Sequence, residues 1–66
     1  MNKKRYTYTG SVCLYGKVIA DYWKAETWAV SARAAESNFK YQFRRMYGYV
    51  NNVPLQLETE KVRETV

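Results

Sequence analysis

Apolar and polar positions alternate from Tyr6 to Tyr15: Tyr6, Tyr8, Val12 and Leu14 fall on one side, and Thr7, Thr9, Ser11 and Cys13 on the other. With β-branched and aromatic residues throughout, this period of two predicts a strand. Gly10 interrupts it, which points to a bulge or a close backbone approach. From Ser31 to Gly48 the period changes. Ala32, Ala35, Phe39, Phe43 and Met46 recur at steps of three and four and so share one face of a helix, while Arg33, Ser37, Lys40 and Arg44 fall elsewhere. Ser31 is a favoured N-cap, and Gly48 can take the left-handed conformation that closes a helix. Beyond Pro54, a residue that can begin a strand but not sit centrally in one, Leu55, Leu57 and Thr59 alternate with Gln56, Glu58 and Glu60, predicting a half-buried strand with one wet face.

The stretch from Gly16 to Val30 fits two periods. A period of two gives a second strand over about Ala25 to Val30, with Trp28 and Val30 facing one way. A period of 3.6 would put Val18, Tyr22 and Glu26 on a short helix. The hairpin is the better reading, because Thr27, Trp28 and Val30 favour strands and a lone short helix would leave the first strand unpaired. The reversal then falls between Gly16 and Lys24, or at Asp21 to Lys24 if the first strand continues through Val18 and Ile19. Tyr49 to Pro54, with Asn51 and Asn52, reads as a turn. Met1 to Arg5 is a basic lead-in expected to fray, and Lys61 to Val66 either extends the last strand or frays. The expected fold is α+β: a β-β-α-β domain over residues 1–66, with a three-stranded antiparallel sheet and one helix across one face.

A chain of 66 residues supports one modest core, about 60% of its unfolded surface being buried. Seven of the eleven aromatic residues are tyrosines, whose hydroxyls need partners, so several belong at the rim of the core or at an interface. One helix covers only one side of a small sheet. Tyr6, Tyr8, Tyr22, Trp23 and Trp28 are therefore the candidate interface aromatics, for a homodimer packed through the sheet or for another partner.

Charge is uneven. Lys3, Lys4, Arg5, Lys17, Lys24, Arg33, Lys40, Arg44 and Arg45 face only Asp21, Glu26 and Glu36 in the first 47 residues, whereas the remainder is mildly acidic. The formal charge of +5 suits nucleic acid, an anionic surface or an acidic protein, and equally a chain that is simply soluble. With one cysteine, Cys13, and no histidine, an internal disulfide and the usual zinc sites are excluded, and the commonest general base is missing. No enzyme activity, metal or cofactor is expected. No signal-peptide pattern or membrane-length apolar run occurs, so a cytoplasmic protein without a membrane partner is expected. Glu58 and Glu60 share a predicted strand face, where alternating glutamates act as solvated charge that discourages aggregation.

The informative pattern interleaves cations with aromatic rings. Arg33, Lys40, Tyr41, Arg44, Arg45 and Tyr47 lie on the helix, and Lys3, Lys4 and Arg5 precede the tyrosines of the first strand. Cations neutralise phosphates and rings stack on bases, so the mixture suits single-stranded nucleic acid or RNA. The competing reading is structural: Arg44 and Arg45 complement the helix dipole and Tyr41 or Tyr47 packs at the core edge. Asn38, a poor helix former, together with Gln42, is expected to hydrogen-bond a neighbouring strand.

The segment ETWAVSARAAESNFKYQFRRMYG, followed by VPLQLE, resembles a small uncharacterised protein family of Gram-positive phages and integrative conjugative elements. The resemblance implies a mobile element of a low-GC bacterium and carries no catalytic motif. The element order is also similar in layout to the LX-type archaeal ribosomal protein, a likeness that transfers no function. The expected function is non-catalytic binding of nucleic acid or a nucleoprotein. The alternative is a protein interaction module, either a homo-oligomer or a phage-type inhibitor or adaptor of a host protein such as a defence nuclease.

Overall fold

The computed structural model of the chain describes residues 2–49 and 53–65. Strand β1 (Lys4–Leu14) pairs antiparallel with β2 (Lys17–Ala29), helix α1 (Ala32–Tyr47) crosses one face, and two short strands, β3 (Leu55–Leu57) and β4 (Val62–Glu64), both pair antiparallel with the other edge of β1. The fold is α+β, an antiparallel sheet with one helix packed across it.

The helix has both predicted caps: the Ser31 hydroxyl accepts from the Ala34 N–H, and Gly48 sits at φ 77°. Ala35, Phe39 and Phe43 are buried against Tyr6, Tyr8, Val12, Trp23, Ala29 and Leu55. Edge-on aromatic contacts fill the space, the Trp23 ring lying 5.1 Å from Phe43 and 6.3 Å from Phe39. Ala32 and Met46, assigned to the same stripe by spacing, are exposed; each lies in an end turn of the helix.

Asn38 and Gln42 do bond the neighbouring strand. The Asn38 amide donates to the Thr27 hydroxyl and the Trp28 carbonyl, and the Gln42 amide to the Glu26 carbonyl. Four residues of helix rise about 6 Å and two residues of strand about 6.6 Å, so the two side chains match two successive like-facing carbonyls.

Three boundaries differ from expectation. Lys4 and Arg5 are paired strand residues, opposite Ala29 and Trp28, rather than a frayed lead-in. The reversal occurs at Tyr15–Gly16, both with positive φ as in a type I′ hairpin turn, so β2 starts at Lys17 and Val30 lies outside it. A tyrosine at positive φ is uncommon, and nothing in its residue type announced the turn. The expected turn at Asn51 and Asn52 falls outside the described residues.

The third correction concerns the last strand, which is split. A 3-10 turn at Thr59–Lys61 separates β3 from β4 where they pass the irregular part of β1, whose register with β2 shifts between Gly10 and Cys13. Glu58 and Glu60 therefore do not share a strand face. The Glu58 carboxylate accepts from the Ser11 N–H and hydroxyl, while the buried Tyr8 hydroxyl donates to the Ser11 carbonyl and accepts from the Glu58 N–H. The two irregularities are thus joined to each other, and Gly10 lies against the junction, a Cβ there falling 2.7 Å from a Glu58 oxygen.

The Ser11 bonds, aided by Lys61, hold the Glu58 carboxyl below the usual carboxylate range. A carboxyl lowered on folding stabilises the fold above its unfolded pKa and loses that contribution as pH falls through its folded value. Glu58→Gln is accordingly expected to be less stable than wild type at neutral pH, with the difference shrinking on acidification below about pH 4. Urea titrations at several pH values test this, and a difference independent of pH contradicts it.

Candidate functional site

The nine cationic and aromatic candidates do not form one patch. Lys3, Lys4 and Arg5 lie at the end of the sheet where α1 begins, whereas Arg44 and Arg45 lie in the last turn of α1. Arg33 and Arg45 are about 18 Å apart along the helix. Several members already have partners. Arg44 donates through Nε and a terminal nitrogen to the Val53 carbonyl, tying the helix end to the approach to β3. Lys40 is 3.6 Å from Glu36, Lys4 is 3.7 Å from Glu64, and Arg5 bonds Glu26. Arg45 lies over the Tyr41 ring at 5.9 Å, and the Tyr47 ring packs tilted against Phe43 at 4.5 Å. Lys3, Arg33 and Arg45 remain exposed cations.

The interface candidates divide as well. Tyr6, Tyr8 and Trp23 are core side chains, because their positions face the helix, whereas Tyr22 and Trp28 are 71% and 61% exposed. The division follows from the register. Directly opposed residues of an antiparallel pair project to the same face. Tyr6 opposite Thr27, Tyr8 opposite Ala25 and Gly10 opposite Trp23 therefore stand on the helix side. Arg5 opposite Trp28, Thr7 opposite Glu26 and Thr9 opposite Lys24 stand on the open side. Thr7 is also opposite Arg63 of β4, which joins them.

The open face thus presents Tyr22, Lys24, Glu26 and Trp28 in sequence along β2, bordered by Arg5, Thr7 and Thr9 on β1 and by Arg63 beyond. No described acidic side chain lies within 4 Å of Lys24 or Arg63. Neither residue was among the sequence candidates. The alternation Tyr22, Lys24, Glu26, Trp28 identifies Lys24 once β2 is known to extend that far, but Arg63 becomes visible only through the pairing of β4.

No family model, characterised protein or solved structure matches this chain. The face must be read from its own chemistry. It has flat aromatic surfaces about 20 Å apart on one strand, cations on three adjacent strands, and threonine hydroxyls between them. Among the described residues no three His, Cys, Asp or Glu side chains are grouped to hold a metal, and no helix is long and apolar enough to cross a membrane.

Proposed function

We propose that the chain is a non-catalytic binder of single-stranded nucleic acid that uses the open face of its sheet. The observation that carries this reading is the placement of exposed Tyr22 and Trp28 on the uncovered face, with Lys24 between them and Arg5 and Arg63 on the neighbouring strands. Stacking on rings tolerates any base, and the cations track the backbone. Arg33 and Arg45, on the helix, extend the positive field on the other side of the sheet, and Lys3 adds to the charge beside Arg5.

Binding of a fluorescent single-stranded DNA or RNA oligonucleotide tests the reading. Trp28→Ala is expected to weaken binding by about 1–3 kcal/mol, with Tyr22→Ala similar. Lys24→Ala or Arg63→Ala should instead flatten the dependence on salt. Arg45→Glu is the informative helix variant, since changing Arg44 also cuts the tie to Val53. Absence of binding at low salt, or wild-type affinity in Trp28→Ala and Tyr22→Ala, refutes the proposal.

A further inference from the structure

The free edge of β2 carries a second pattern, independent of any nucleic acid. The Thr65 N–H donates to the Arg5 carbonyl, which directs the backbone groups of Arg5, Thr7 and Thr9 towards β4 and those of Lys4, Tyr6, Tyr8 and Gly10 towards β2. Their partners Ala29, Thr27, Ala25 and Trp23 consequently point inwards, and Lys24, Glu26 and Trp28 present their N–H and C=O groups outwards. The pairing is regular from Trp23 to Ala29; the register shift of the hairpin begins beyond Gly10 and its partner Trp23, at Asp21 and Tyr22.

We infer that a second copy of this chain pairs along that edge, antiparallel and centred on Ala25. That register sets Lys24 opposite Glu26 of the partner copy and Tyr22 opposite the partner's Trp28, with the reciprocal pairs generated by the two-fold axis. The outward-facing Lys24 and Glu26 find outward-facing partners in both copies, so the two sheets become continuous. Sliding the register by two residues either way sets Lys24 against itself or Glu26 against itself, so charge selects one alignment. The two most exposed aromatic side chains of the open face become cross-strand neighbours, and Glu26 lies between its own Arg5 and the incoming Lys24.

On the helix side only Ala25 stands on the axis. Because Gln42 reaches the Glu26 carbonyl, the shallow groove formed by Tyr41, Gln42, Arg45 and Met46 lies on the flank of α1 that would face the partner's helix. A carbonyl has two lone pairs, so the Asn38 and Gln42 amides can share Trp28 and Glu26 with incoming N–H groups.

Sedimentation equilibrium of the purified chain, with no nucleic acid present, tests the inference. The wild type is expected at twice its 7.8 kDa mass. Lys24→Glu and Glu26→Lys should each weaken the dimer at least about tenfold by creating like-charge pairs, and the double exchange should restore it. Hydrogen exchange of the wild-type Lys24 and Glu26 amides provides a readout that needs no variant: both should be protected, and protection should fall on dilution. A monomer at millimolar concentration overturns the inference. So does a dimer unaffected by both single reversals, a folded double exchange that stays monomeric, or fast exchange at Lys24 and Glu26.

Discussion

Phe39→Ala is expected to lower stability by about 3–5 kcal/mol, the usual cost of removing a buried aromatic ring and leaving a cavity. For a domain of this size total stability is about 3–10 kcal/mol, so a large unfolded population should appear without denaturant. Phe39 is fully buried and packs against both Tyr8 and Trp23, at ring distances of 5.7 and 6.3 Å. Its loss leaves the helix without the ring that joins β1 to β2 through the core. Met46, on the same angular stripe but 64% exposed, is the control. Met46→Ala should change stability by no more than about 0.5 kcal/mol. Urea unfolding followed by circular dichroism measures both, and equal losses contradict this account of the core.

The contrast between Phe39 and Met46 also shows what was legible in the sequence. Local chemistry declares the helix and its ends, because Ser31 and Gly48 act on backbone groups within a turn of themselves. Period gives an angle around the helix axis but not what lies beneath each turn, so the stripe is right at Ala35, Phe39 and Phe43 and overextended at Ala32 and Met46. Boundaries determined by distant partners were not legible. Lys4 and Arg5 are ordered by Ala29 and Trp28, and the last strand is broken where Glu58 meets Ser11, 47 residues away. The site follows the same division. The Lys40 pairing with Glu36 is a helical neighbour effect visible in the spacing, while removal of Arg44 by a loop carbonyl and recruitment of Arg63 to the open face depend on tertiary pairing. Extending β2 back to Lys17 changed the functional reading most, since it separated buried Trp23 from exposed Tyr22 and Trp28.

Gly10→Ala is expected to destabilise the fold by about 1–3 kcal/mol, the range for forcing extra atoms into a packed site. Strand preference alone predicts the opposite sign, since replacing a strand glycine by alanine ordinarily gains about 0.5–1 kcal/mol. Space decides the outcome. A Cβ at Gly10 would lie 2.7 Å from the Glu58 carboxylate, 3.1 Å from the Tyr8 hydroxyl and 3.2 Å from the Lys61 side chain. The carboxylate must move, and in moving it leaves the Ser11 N–H and hydroxyl that it now accepts from. A second substitution separates this crowding from a generic strand effect. Glu58→Ala removes the nearest atom, so the double variant Gly10→Ala/Glu58→Ala should cost less than the two single changes together. Additive losses would mean that the glycine is required for some reason other than the approach of Glu58, and a neutral or stabilising Gly10→Ala would mean that β1 and the 3-10 turn can separate without loss.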